Sequence, residues 1–106
     1  MIIAVASIRK DENSEISPRP GRSRFYLLFD TQGQLLEVVS NPFSRGGGGA
    51  GFGVAKMLAD KGVDIVVGGR FGENMQAALT ERNLTYYQMS GNVRQALEAV
   101  FRKTKK

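Results

Sequence analysis

Arg45 is followed by four consecutive glycines, Gly46, Gly47, Gly48 and Gly49, and the run passes through Ala50 and Gly51 into a helical pattern. Glycine lets a backbone come close to a ligand, and the first N–H groups of a helix are free donors at the positive end of its dipole. Two other segments combine arginine with turn residues. SPRPGRSR carries Arg19, Gly21, Arg22 and Arg24, and GGRFGEN carries Gly69, Arg70 and Asn74. A guanidinium is permanently charged and presents a planar fork of donors suited to anions. Residue types and spacing therefore point to an anion pocket. Its candidate lining is Ser7, Arg19, Gly21, Arg22, Arg45, Gly46, Gly47, Gly48, Gly49, Gly69, Arg70 and Asn74. The competing reading is a glycine run that only connects two elements, since glycine solves tight turns without any ligand.

What is missing narrows the chemistry. The sequence has no cysteine and no histidine, which removes disulfides, thiolate nucleophiles, cysteine-held zinc or iron–sulfur centres and imidazole bases. Gly46–Gly51 formally fits G-x-G-x-x-G. The dinucleotide fingerprint, however, follows the first strand of a parallel βαβ unit and has an acid about 20 positions on. Here a hairpin arm precedes the glycines, and the next strand ends in glycines and Arg70. Lys56 lacks the flanking glycine and Ser or Thr of a phosphate loop. A two-metal nuclease needs clustered carboxylates, whereas the first strand offers Ser7 and no acid, and Asp30 and Asp64 stand alone at strand ends. No enzymatic activity is expected. The formal charge of +5 suits an anionic partner or simple solubility. Phe25, Tyr26, Tyr86 and Tyr87 could stack bases, but adjacent strand aromatics are more often core, which argues against nucleic acid.

The elements that must position these residues follow from periodicity. At 106 residues with 42% hydrophobic content, the chain reads as one domain. Its expected ordered core is 1–101, with a basic tail over 102–106. No apolar run approaches the roughly 20 residues that span a bilayer, and MIIAVAS is too short for a signal segment, so a cytoplasmic location is expected. MIIAVAS and VDIVVGG read as strands buried on both faces. RFYLLFD and QLLEVVS form a hairpin whose Gly33 supplies a positive φ. LTYYQM is a further short strand.

Three helices complete the pattern. Ala50, Val54, Met57 and Leu58 recur at helical spacing, with Gly62 as the residue after the C-cap. Met75, Ala78 and Leu79 mark a second helix, with Glu73 in its first turn and Asn83 beyond its end. Asn92 caps a third, with Gln95 as the reciprocal partner and Val93, Ala96, Leu97, Val100 and Phe101 as its buried stripe. The loop from Arg9 to Arg24 has Ile16 as its apolar anchor and is expected to be the most mobile part without ligand.

The order β, β, β, α, β, α, β, α predicts a three-layer α/β domain with a mixed sheet. Strands one, four and five should be parallel through right-handed crossovers, and strand two antiparallel to strand three. Ligands of open α/β sheets bind beyond the carboxyl ends of the strands, and both arginine segments leave those ends. Arg19, Gly21, Arg22, Arg45 and Arg70 should therefore line one rim with the amides of Gly46–Gly51. Strand three is expected at an edge, where a second copy could pair.

In this arrangement the sequence resembles the dinitrogenase iron–molybdenum cofactor binding family, which includes NifX and the C-terminal part of NifB. Members carry Ser-Glu-His-Phe-Gly-Arg before an aromatic strand. The chain reads SPRPGRSRFYLLFD there, with Ser17, Gly21 and Arg22 matching and Arg19 at the family's histidine. NPF before the glycines, LADKGVDIVVGG and FGENMQAAL are similar too. The resemblance implies a ribonuclease-H-like fold with five strands in the order 3-2-1-4-5, strand two antiparallel, and three helices. It implies a non-enzymatic carrier of an iron–molybdenum cofactor or related iron–sulfur cluster, with nitrogenase-maturation or other metallocluster-assembly proteins as partners. Arginine cannot ligate iron, so Arg19 implies holding by charge and hydrogen bonds. The alternatives are a relative that has lost the cluster and binds another small anion or a protein, and a basic nucleic-acid-binding module.

Overall fold

The computed structural model describes residues 1–45 and 49–104; Gly46, Gly47 and Gly48 lie outside them. The strands are β1 (Ile3–Ser7), β2 (Phe25–Phe29), β3 (Leu35–Ser40), β4 (Ile65–Gly68) and β5 (Thr85–Gln88). The helices are α1 (Ala50–Asp60), α2 (Glu73–Glu81) and α3 (Val93–Thr104), and a single 3-10 turn spans Pro20–Arg22. The sheet order is β3-β2-β1-β4-β5. β1 pairs antiparallel with β2 and parallel with β4, where Ile3 faces Ile65 and Val5 faces Val67. This is the expected topology, and β3 and β5 are its edges.

Alternation along the strands sorts the core into two layers. Ala4, Ala6, Tyr26, Leu28 and Val66 face α1 and α2, meeting Val54, Leu58, Met75 and Leu79. Ile3, Val5, Leu27, Phe29 and Val67 face α3, meeting Val93, Ala96, Leu97 and Val100. β1 is buried along its whole length, which is why it reads as an unbroken apolar run. β3 is mostly exposed, and its register with β2 shifts between Leu28 and Phe29. No helix among the described residues is long and apolar enough to cross a membrane.

Local chemistry explains the element ends. At the hairpin, Gly33 has φ of 79°, and the Asp30 carboxylate accepts from the backbone N–H groups of Gln32 and Gln34 at 2.8 and 3.0 Å. Gly62 and Asn83 take left-handed conformations just beyond α1 and α2, the usual way to end a helix. Asn92 Oδ1 accepts from the Arg94 N–H at 2.8 Å, while the reciprocal bond expected from Gln95 is absent among the described residues. α3 runs on to Thr104, so Arg102 and Lys103 are helical where a frayed tail was expected. Lys103 Nζ lies 5.4 Å from the Tyr87 ring centroid, a cation–π contact between the last turn of α3 and β5.

α1 and α2 are in close contact at their N-terminal ends. A Cβ built on Gly51 would stand 2.9 Å from Met75 Cβ and 3.1 Å from the Met75 backbone N. Gly51→Ala is therefore expected to push the two helix starts apart and cost about 1–3 kcal/mol. Thermal denaturation checks this; an unchanged midpoint would show that the helices can separate freely.

Candidate functional site

The segment after β1 is anchored at several points. Ser17 N–H donates to Ala6 O at 2.8 Å, and Ile16 N–H donates to Gly91 O at 2.8 Å. Pro20 is buried, as are Ser14, Ser17 and Ser23, so Ile16 is not the sole anchor that the sequence suggested. The Ser23 hydroxyl sits 3.0 Å from Ser7 O and 2.8 Å from Phe25 O. Asn41 Nδ2 donates to Ser23 O at 2.8 Å. Beneath the 3-10 turn, the buried Tyr26 hydroxyl donates to Pro20 O. These bonds fix the backbone that carries Arg19 and Arg22.

The segment after β4 is tied to the first one. Gly69 N–H donates to Ser17 O at 2.9 Å and Arg70 N–H to Pro18 O at 3.0 Å. The approach is so close that a Cβ on Gly69 would lie 2.5 Å from Pro18 Cα, and one on Gly68 would overlap the Pro20 ring. Phe71 N–H donates to Gln88 Oε1 at 3.1 Å, and Gln76 Nε2 donates to Phe71 O at 2.8 Å. Arg70 is thus placed by backbone pairing on one side and two glutamines on the other.

Across from these segments stand the helix starts. Neither Gly49 nor Gly72, the N-cap residues of α1 and α2, supplies a side-chain cap. The first helical bonds are made by Gly53 N–H to Gly49 O and Gln76 N–H to Gly72 O. The amides of Ala50, Gly51 and Phe52, and of Glu73, Asn74 and Met75, therefore precede the intrahelical ladder at two positive dipole ends, with no acceptor among the described residues.

All of this borders one cleft of about 850 Å³. Arg19, Gly21 and Arg22 form its first wall, Arg70 to Met75 its second, and Gly49, Ala50 and Gly51 its third. The cleft lining holds three arginines and one acidic residue, Glu73, and among the described residues the ion pairs join other groups. Arg19, Arg22 and Arg70 therefore have no ion-pair partner among the described residues. Met75, 3% exposed, forms part of the floor.

Of the residues singled out from sequence, the cleft brings together Arg19, Gly21, Arg22, Gly49, Arg70 and Asn74. Gly69 lies behind the wall against Pro18. Ser7 is buried, with its hydroxyl donated to Arg9 O at 2.5 Å. Arg45 is exposed and is not among the cleft residues; Gly46, Gly47 and Gly48 lie outside the described residues. Arg24 turns toward Phe25, with its guanidinium carbon 5.6 Å from the ring centroid. Sequence reasoning missed Pro18, Phe71, Gly72, Glu73 and Met75. Glu73 and Met75 carried a signal, since both sit in the first turn of a helix that starts at a strand's carboxyl end.

The donor set can be tested against a metallocluster cargo. With no histidine or cysteine in the chain, soft thiolate or imidazole ligation is unavailable. Among the described residues no group of three or more Asp or Glu side chains comes together. The residues present fit a polyanion held by charge and hydrogen bonds, and they do not fit direct ligation.

Three helices on a mixed sheet in this order make a ribonuclease-H-like α/β domain, with its cleft beyond the carboxyl ends of β1 and β4. The sequence matches the family described as dinitrogenase iron-molybdenum cofactor over residues 1–103, and the chain belongs to that family. The apo form of the orange protein from Desulfovibrio gigas is similar, at 26% identity and a TM-score of 0.90, over 96% of this chain and 88% of that one. A protein from Thermotoga provisionally assigned as NifB is 29% identical, with a TM-score of 0.78 over 98% of this chain and 89% of that one. A provisionally assigned dinitrogenase from Methanocaldococcus jannaschii, 12% identical with a TM-score of 0.67, covers 97% of this chain and 89% of that one and shares the fold. No curated protein matches the sequence.

Burial pushes the Tyr26 phenol far above its ordinary value of 10.0, because its anion could not be solvated there. The unfolded chain loses this proton near pH 10 while the folded chain keeps it, so stability falls as pH rises past that point. Tyr26→Phe is expected to lower stability by about 0.5–1.5 kcal/mol at neutral pH and to flatten that alkaline fall. Urea titrations of both proteins, at neutral pH and above about pH 10, check this. Curves that stay parallel would show that the hydroxyl is not held.

Proposed function

We propose that this protein is a non-enzymatic carrier for an anionic metallocluster of the iron–molybdenum cofactor type, or a precursor of one. The cluster is bound at the carboxyl edge of the sheet by Arg19, Arg22 and Arg70 and by the free amides of α1 and α2. The observation that carries this reading is that three arginines without an ion pair among the described residues, and two helix starts without a side-chain cap, line one cleft. Membership of the iron–molybdenum cofactor family supports it. The cleft volume, about 850 Å³, falls in the roughly 300–1,000 Å³ range of sites for ligands larger than a single oxyanion.

Charge-assisted hydrogen bonds from guanidinium and backbone N–H groups to sulfide or carboxylate atoms need no displacement of a ligand at the metal. Cargo held in this way is salt-sensitive and releasable, as suits transfer to metallocluster-assembly proteins. Of the cleft side chains, the carboxylate and the amide of Glu73 and Asn74 are the polar groups that are not cationic.

Anaerobic titration with isolated iron–molybdenum cofactor at low salt tests the reading. Wild type is expected to bind, and Arg19→Ala and Arg22→Ala should each weaken binding roughly tenfold or more, as for lost hydrogen bonds to charged groups. Affinity should also fall as salt rises. No binding by the wild type would exclude the activity and leave a smaller anion or a protein as the ligand. Binding untouched by both substitutions would place the cargo elsewhere.

A further inference from the structure

We infer that the open edge of β3 takes up an extended acidic segment of a partner protein, which adds to the five-stranded sheet as a further strand. This docking site is built from residues outside the cleft lining and does not depend on what the cleft carries.

The pairing of β2 with β3 decides which backbone groups face outward. Asn41 N–H donates to Arg24 O at 3.0 Å, so these two residues form a hydrogen-bonded pair, and such pairs alternate along an antiparallel ladder. Tyr26 with Val39 and Leu28 with Glu37 are the next bonded pairs. Val38 and Ser40, opposite Leu27 and Phe25, therefore turn their N–H and C=O groups away from β2. Exposed edges are commonly guarded by lysine, proline or an unpaired charge. β3 reads Leu-Leu-Glu-Val-Val-Ser, and its one charge, Glu37, is neutralised by Lys61 at 2.7 Å. The β-bulge lies toward the hairpin, opposite Leu28 and Phe29, and leaves the Val38–Ser40 end regular. β5, the other edge, is shorter, and both its tyrosines are already engaged, Tyr86 with Phe71 and Tyr87 with Lys103.

Both faces beside this edge offer seats for the alternating side chains of an added strand. On the α1 side, a groove of about 450 Å³ is lined by Pro42 and Phe43, which follow β3, and by Gly53 and Met57 of α1. Its two lysines, Lys56 and Lys61, are paired with Asp60 and Glu37, so the groove is apolar with its charges balanced. On the α3 side, Val38 and Ser40 are exposed. Across the small Ser40 side chain lies Phe25, with Lys10 Nζ and the Arg24 guanidinium carbon 5.5 and 5.6 Å from its ring centroid. Neither cation has an ion-pair partner among the described residues. A strand with apolar side chains on one face and acidic ones on the other complements both sides. A second copy of this chain fits less well: each copy carries a formal charge of +5, and its β3 brings one carboxylate already held by Lys61.

The test is a titration with a capped peptide of alternating valine and glutamate, followed by amide chemical shifts and hydrogen exchange. The largest shifts are expected at Val38 and Ser40, whose amides should exchange about tenfold more slowly in the complex. The amides of Glu37, Val39 and Asn41 already face β2 and should change less. Lysine in place of glutamate in the peptide, or Arg24→Glu in the protein, should each weaken binding roughly fivefold or more, as for exposed ion pairs lost or reversed. A counterpart peptide N-methylated at every residue keeps the side chains, loses the ladder bonds and should not bind. The proposal is overturned if the Val38 and Ser40 amides do not respond, or if the lysine or N-methylated peptide binds equally well. Light scattering covers the other occupant: a dimer of the free protein that Val38→Lys converts to monomer would assign the edge to a second copy and overturn the proposal.

Discussion

The cleft depends on how closely two backbones approach at Gly69. The hydrogen bonds from Gly69 N–H to Ser17 O and from Arg70 N–H to Pro18 O join the chain leaving β4 to the chain leaving β1. No side chain fits between them, because a Cβ on Gly69 would stand 2.5 Å from Pro18 Cα. With these two bonds in place, Arg70 and the pair Arg19 and Arg22 belong to one framework. Without them each arginine would sit on its own surface segment. The glycines of the second arginine motif thus act by bringing Pro18 and Pro20 down onto the sheet, whether or not a ligand ever touches them.

That framework removes a cost that flexible arginines would add to binding. Ordering a long side chain costs roughly 0.5–1.5 kcal/mol on association, and ordering its backbone as well would cost more. Here the backbone of the 3-10 turn is already tied down by Tyr26, Asn41 and Ser23. Only the guanidinium ends remain free to adjust. Modest individual contacts can then add up across a large anion, which a site without soft ligands requires.

Much of the fold was legible because its strands and helices have clean periods. The buried β1 and β4 read as continuous apolar runs, and the α3 stripe of Val93, Ala96, Leu97 and Val100 repeats at helical spacing. The β-bulge opposite Leu28 and Phe29 was not legible, since it depends on how two strands pair rather than on either strand alone. The anchoring of the segment after β1 was half legible. Ile16 announces itself as apolar, while Pro20 and the three buried serines are held by partners distant in sequence, which no local pattern reveals. The convergence of Arg19, Arg22 and Arg70 followed from topology, because strand ends at a switch point meet in space. Glu73 escaped because a first-turn acid already has a sufficient local explanation in the helix dipole.

Holding and releasing place opposite demands on such a site, and the residue types settle between them. Histidine or cysteine would bind a metallocluster through bonds that must break before transfer, and such bonds would also change with pH or redox state. Arginine and backbone N–H groups do neither, because neither titrates near neutral pH. What remains adjustable is the surrounding charge, which ionic strength and a charged acceptor surface both change. If the cargo is held as proposed, an acidic acceptor approaching the rim would compete for the same guanidinium groups. Transfer would then need only a redistribution of hydrogen bonds within the cleft, with no change in the fold that frames it.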